Sequence, residues 1–415
     1  MKNKYNKQLV LLVCTMLSIT AFSQNTPEIH GYVRNYTGVL TGQGTDYSII
    51  QNTMNLSFEK KTPFMGFKLN PYVYHYAQDD DVDFGLREAY IDLFFDHFDL
   101  RVGKQQIVWG KADGVFITDV VSPKDLREFL LPDFEEIRIG ITSIKLNYYF
   151  GKDNAFELVL APEFEPTRYA EPGSIWFPKM SLQGAKIDMS EKKITPSLKN
   201  SEVFLKFSKL SDFIDYEIMG GYMFDDDQSM HTRRYMNPQT QTPDSVVITP
   251  RHHRLGLFGG SLGTEIKGVV LRSEAAFYTG KRFMSTNPMT PDGLIEKDYV
   301  HYLIGADWIT RGINFSVQFI QEAILDYDSD IAKDKTTNTM TFIANDSFFN
   351  DKLTADVLAY WGLTNEDALI RPRITYELYG GLNLTVGGNL FFGSKGMFGQ
   401  FDKNDMVYFK LKYDF

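Results

Sequence analysis

The sequence predicts an all-β chain: a transmembrane antiparallel β-barrel of about eighteen strands, sixteen being the alternative count, with a short helix in an inward-folded loop. Three observations carry this. Apolar and polar residues alternate with period two from Glu28 to the C terminus. The alternating segments run to about ten residues, the length of a tilted membrane strand rather than of a soluble one. The connections between them alternate short and long, as periplasmic turns and extracellular loops do.

The alternation is plainest late in the chain. Leu382, Leu384, Val386, Leu390 and Phe392 form one face, and Asn383, Thr385, Gly387 and Asn389 the other. Leu353, Ala355, Val357, Ala359 and Trp361 share a face, as do Ile313, Phe315, Val317 and Phe319. A soluble sandwich would turn such faces inward, whereas a barrel turns them to lipid. Aromatic pairs near strand ends, at Tyr148-Tyr149-Phe150, Phe348-Phe349, Tyr360-Trp361 and Phe391-Phe392, suit girdles at the two membrane interfaces. Short turns are expected at Lys60–Pro63, Asp96–Asp99, Gly151–Asn154, Lys209–Asp212, Leu262–Thr264, Thr310–Gly312, Asn350–Lys352 and Tyr379–Gly381. Long loops are expected at residues 108–136, 162–200, 225–249, 280–297 and 393–404. The last strand puts Val407, Phe409, Leu411, Tyr413 and Phe415 on one face. Its terminal aromatics, Tyr413 and Phe415, resemble the signal that barrel-assembly machinery reads.

Residues 1–23 read as a secretory signal peptide: Lys2, Lys4 and Lys7, a short apolar run, then Ala21-Phe22-Ser23 before Gln24. Cys14, the one cysteine, lies within it. The rest, residues 24–415, is a single barrel domain placed in a bacterial outer membrane, with membrane lipid and lipopolysaccharide as surroundings. A disulfide framework and a cysteine metal cluster are excluded. The net charge of −10, with no basic domain, argues against nucleic acid. None of the seven His has a metal-ligand spacing, so neither metal nor cofactor is expected. The acidic runs Asp79–Asp81 and Asp225–Asp227 read as solvated loop tips. No catalytic motif appears, and the chain reads as a non-enzyme.

Residues 107–136 depart from the alternation. Ser122, Pro123 and Asp125 form a good helix start, with Leu126, Phe129 and Leu130 on an apolar side. A loop this apolar is expected to fold into the barrel mouth and constrict it. Trp109, Asp113, Asp119, Lys124, Asp125, Arg127 and Glu128 are the candidate constriction residues; an external cap is the alternative.

The segment is similar to a family of porin-like bacterial outer-membrane proteins of unknown function. That family is marked by a strand ending Gly-x-Gln-x-x-x-Trp-Gly and a following Asn/Ser-Pro-x-Asp-Leu step. Gly103, Gln105, Trp109 and Gly110 match the first, and Ser122, Pro123, Asp125 and Leu126 the second. Pro162, Glu163 and Pro166 suit its Pro-rich loop, and the resemblance covers about residues 85–180. It implies an outer-membrane barrel of channel type and supplies no substrate.

Strand parity turns Glu88, Asp92, Arg101, Arg138, Lys206, Arg272, Arg371 and Arg373 toward the lumen, with Glu274 and Glu377. A lipid-facing charge at mid-membrane would cost roughly 2–4 kcal/mol. Its basic residues suit an anionic solute, while mutual pairing into a rigid polar wall is the simpler reading, and the solute class expected is anionic or amphipathic. The function expected is passive passage of small solutes, in a monomer or a homo-oligomer. A barrel hydrolase acting on lipid or envelope polymer, and a structural or adhesive barrel, are the alternatives.

Overall fold

The computed structural model describes residues 27–42, 46–178, 185–188, 194–236 and 243–415. The expected signal segment lies outside them. Eighteen strands form one sheet. In chain order they are β1 (Glu28–Leu40), β2 (Tyr47–Lys61), β3 (Met65–Tyr76), β4 (Asp81–Phe94), β5 (Phe98–Gln105) and β6 (Ile141–Phe150). Next come β7 (Asn154–Ala161), β8 (Glu202–Lys209), β9 (Asp215–Phe224), β10 (Arg254–Ile266), β11 (Val269–Met284) and β12 (Leu294–Thr310). The last six are β13 (Ile313–Ile324), β14 (Thr336–Phe348), β15 (Leu353–Gly362), β16 (Asp367–Tyr379), β17 (Leu382–Phe392) and β18 (Met406–Asp414). Each pairs antiparallel with the next, and β1 closes on β18 from Tyr32↔Asp414 to Leu40↔Met406. Closure leaves no unpaired edge, which a bilayer demands of any sheet crossing it.

Parity sets what faces outward. On β18, Val407, Phe409, Leu411, Tyr413 and Phe415 are 41–49% exposed, while Tyr408 between them is 7% exposed. The outer face is therefore apolar and the inner face packed, as the alternation requires. Aromatic rings gather at the short-turn end: Phe95 stacks on Phe98 at 4.3 Å, Phe150 on Phe156 at 5.3 Å, and Trp308 on Phe315 at 5.5 Å. At the other end Trp361 and Phe392 point outward, but Tyr360 and Phe391 are 2% and 1% exposed. Those two are lumen residues rather than girdle residues, because adjacent strand positions face opposite ways.

Seven of the eight expected turns lie at or beside the observed ones; the eighth does not. Leu262–Thr264 sits within β10, paired to Arg272, Ser273 and Leu271, and the chain turns instead at Lys267 (φ 53°) and Gly268 (φ 81°). Strand pairing through Thr264 satisfies backbone groups that an earlier turn would leave open. Between β7 and β10 the long connections carry their own small sheet: Ala185–Ile187 pairs parallel with β-strand Pro243–Arg251, which pairs antiparallel with Ser229–Met236. No described helix is long and apolar enough to cross a membrane.

Val386 is 54% exposed at the middle of β17, whereas Thr385 bonds to Thr375 across the lumen face. Val386→Arg is expected to lower the unfolding free energy by about 2–4 kcal/mol, and Thr385→Arg by distinctly less. Urea titration of the barrel refolded into lipid vesicles measures both.

Candidate functional site

The site begins where β5 leaves the wall. Gly103 has φ 133°, and a Cβ there would lie 2.3 Å from the Ala89 carbonyl oxygen. Any other residue would push β5 off β4. Gln105 is fully buried and donates to the Ser143 carbonyl, which holds the strand end in place. Trp109 is buried edge-on against Phe204 at 6.1 Å, and its indole N–H donates to Glu157. Gly110 lets the chain pass Asp119 so closely that a Cβ would sit 2.8 Å from the Asp119 Cβ. Asp119, 1% exposed, then fixes the crossing: it accepts from the Trp109 amide at 3.2 Å and from Arg138 at 2.6 Å.

From this hinge residues 106–140 run through the lumen and meet strands all round the barrel. The Lys111 amide donates to Glu274 of β11 at 2.5 Å, and Thr118 donates to the same carboxylate. Arg272 of β11 reaches the Lys111 carbonyl at 2.8 Å, and Gln318 of β13 the Asp113 carbonyl at 3.0 Å. Tyr360 of β15 donates to the Gly114 carbonyl at 2.6 Å. Arg371 of β16 caps the Leu130 and Leu131 carbonyls at 2.7 and 2.8 Å. Arg87 of β4 reaches the Glu135 carbonyl at 2.8 Å. Side chains of the wall thus take the place of water for backbone groups that the lumen would strip of solvent.

Two apolar feet complete the docking. Ile107, Trp109, Val120 and Val121 pack on Val159, Phe204, Met219 and Leu257 of the wall. Leu130 and Leu131 pack with Tyr36, Tyr360, Phe391 and Tyr408 on another sector, joined by Trp176, Phe398 and Phe401 from later loops. Between them, Asp133 and Glu136 face a basic sector. Arg34 lies 3.0 Å from Glu136, and Asp133 lies 3.8, 3.6 and 3.7 Å from Arg34, Arg373 and Lys410. Burial alone would raise the Asp133 carboxyl; Lys410, Arg34 and Arg373 hold it below the usual range. At Glu128 burial and the nearby Glu136 outweigh the pull of Arg34 and push the carboxyl up to about 7, and it accepts from Gln51 and Tyr76.

The remaining expected residues fall into place, with three corrections. Ser122 does not start a helix. Its hydroxyl is taken by the Ile107 amide at 2.8 Å, and Asp125–Leu126 lies extended beside Arg168–Tyr169. Phe129 sits at φ 55°, and the loop's helix is the single turn Phe134–Ile137. Tertiary partners for Ser122 outweigh the local cap. Arg138 is not a wall residue either; it follows that helical turn and stays within the loop on Asp119. Asp113 pairs with Arg272, Asp125 with Arg127, and Arg127 also with Asp83. The Lys124 ammonium donates to the Asp119 carbonyl. On the wall, Glu88 meets Lys68, Asp92 meets Arg101, and Lys206 lies 3.8 Å from Glu217. Sequence reasoning passed over Arg34, Arg87, Asp133 and Glu136, and it placed Tyr360 in the aromatic girdle. Period-two parity marks the wall members as inward, but nothing local marks their partners. The run Asp225–Asp227 is not wholly a solvated tip: Asp225 is 6% exposed and paired with Lys281, while Asp227 stays exposed.

A closed eighteen-stranded barrel with a loop docked across its lumen defines a porin-type fold. The chain belongs to the family described as "Protein of unknown function (DUF1302)", whose model matches residues 35–415. No curated protein matches it. Among solved structures it is similar to Pseudomonas aeruginosa OccK8 (OprE), at 9% identity and TM-score 0.55, covering 94% of this chain and 98% of that one. Acinetobacter baumannii OccAB3 gives 9% identity and TM-score 0.54 over 94% and 99%. Pseudomonas aeruginosa OccK2 (OpdF), solved in complex with glucuronate, gives 10% identity and TM-score 0.53 over 94% and 97%. At these identities the likeness is one of fold.

Arg138→Met leaves Asp119 buried without its cation and is expected to cost about 3–5 kcal/mol of loop docking, read as lost hydrogen-exchange protection over residues 107–121. Glu128 gives a pH dependence. Its carboxyl rises from 4.5 to about 7 in the folded chain, so the folded state holds the proton more tightly between those values. Docking stability therefore falls as pH rises from about 4.5 to about 7. Protease resistance of the loop should fall over that window, and Glu128→Gln should flatten the profile.

Proposed function

We propose that the chain is a porin-like channel of the bacterial outer membrane, through which small solutes diffuse passively past residues 106–140. The observation that carries the reading is the path of that segment: it bonds to β1, β4, β11, β13, β15 and β16, so any solute crossing the barrel must pass it. A wide barrel leaves an aqueous lumen unless something narrows it, and the pore lining then sets selectivity. Asp113, Lys124, Asp125, Arg127 and Glu128 are the constriction residues of this reading, with Trp109 and Asp119 anchoring the loop that carries them. Glu88, Asp92, Arg101, Lys206, Arg272, Arg371 and Arg373 line the wall. The outer face lies in lipid, the long loops face lipopolysaccharide, and Tyr413 and Phe415 serve as the assembly signal.

The test is single-channel conductance of the purified protein in a planar bilayer, beside a variant in which residues 111–131 are replaced by a short Gly/Ser linker. Steady conductance is expected from the parent and a rise of roughly twofold or more in the variant, because the narrowest section is removed. Silence of both, with each folded by its heat-dependent gel mobility, would overturn the channel reading.

A further inference from the structure

A cavity of ≈ 410 Å³ opens at the long-loop end of the lumen, within the size range of small-molecule sites. One wall is apolar, made by Phe116, Leu126, Phe129, Trp176, Met397 and Phe401. Its rings are mutually packed, Phe129 on Phe401 at 5.0 Å and Trp176 on Phe401 at 5.6 Å, so it is fixed rather than collapsible. The other wall is polar and rich in charge, and its charged groups other than Asp226 and Lys124 are already in ion pairs. Lys281 lies 3.1 Å from both carboxylate oxygens of Asp225 and 3.5 Å from Asp227. Lys333 pairs with Glu322, and Asp227 also accepts from the Tyr169 hydroxyl. Asp119 is held by Arg138.

Asp226 is the carboxylate left out of these pairs. It lines the cavity, and among the described residues no group donates a hydrogen bond to it. Burial pushes its carboxyl well above the usual range, with Lys124 pulling the other way. A charged solute fares badly here. An ammonium drawn to Asp226 would face Lys124, and a carboxylate drawn to Lys124, whose ammonium donates to the Asp119 carbonyl, would face Asp226 beside Asp225 and Asp227. Either gains one of these two charges against the opposition of the other, so a buried charged head group finds no net counter-ion there. A hydroxyl both donates and accepts, so it suits Asp226 in either protonation state.

We propose that this cavity binds an uncharged amphipathic solute, its apolar body against Phe129, Trp176 and Phe401 and its hydroxyl at Asp226. The proposal deepens the channel reading and rests on it for how the solute moves on.

The test uses the protein in lipid nanodiscs and a matched series of probes: 1-pyrenebutanol, 1-pyrenebutyrate, 1-pyrenebutylamine and 1-butylpyrene. Binding is read as energy transfer from Trp176, taken as the difference between the parent and Trp176→Phe. The alcohol is expected to bind saturably and at least about tenfold tighter than the carboxylate or the amine. Asp226→Leu should weaken the alcohol about fivefold and leave 1-butylpyrene unchanged. If that variant does not fold, the ranking of head groups still decides. Equal or tighter binding of the carboxylate or the amine overturns the proposal, and so does a lack of saturable transfer from any probe. Conductance without saturable binding would sink the cavity assignment alone. Binding without conductance would sink the channel reading and leave a ligand-binding barrel.

Discussion

A chain segment inside a barrel loses water on every side, and each of its backbone amides and carbonyls must find a partner there. That requirement organises this molecule. Glu274, Arg272, Gln318, Tyr360, Arg371 and Arg87 point inward from six stations on the wall and meet main-chain groups of residues 111–135. The wall side chains are therefore not a generic polar lining. They are the complement of one particular path, and the path is held because leaving it would strand both sides without hydrogen bonds.

The path is set by steric constraints at its start. Gly103 and Gly110 stand where the backbone passes another within a distance that no Cβ allows, and the buried Asp119–Arg138 pair ties the outgoing and returning arms together. Beyond the hinge, the two apolar feet bear on different sectors of the wall, so the segment spans the lumen instead of lying along one side. Its helical turn is short because it is made by tertiary contacts and needs no propensity of its own.

Electrostatics divides the lumen in two. Around Arg34, Arg373 and Lys410, wall cations meet the loop carboxylates Asp133 and Glu136, so much of the basic character that parity assigns to the lumen is neutralised from within. Near the long-loop end, Lys281 and Lys333 are matched by Asp225 and Glu322. What stays available is a fixed aromatic surface beside a polar wall of little net charge, a place where apolar area and hydrogen bonding count for more than ionic attraction.

Most of the barrel was legible in the sequence, because its pattern is local: a period of two fixes which residues face lipid, and Gly, Asn, Asp and Pro mark the turns. The strand number, the outward row from Val407 to Phe415 and the inward set from Arg101 to Arg373, Arg138 apart, follow from that period. The loop was legible only as an interruption. Ser122 reads locally as a helix cap, but the Ile107 amide fifteen residues back donates to its hydroxyl instead. Asp225 reads as part of a solvated tip, yet it is buried against Lys281 of a later strand. Parity, turn chemistry and close-approach glycines act over a few residues, so sequence alone determined the wall. Hydrogen bonds and ion pairs between positions a hundred or more residues apart, such as Arg34 with Glu136 and Tyr360 with Gly114, have no sequence period; only the closed barrel, by bringing those positions within reach, decided the loop and the cavity above it.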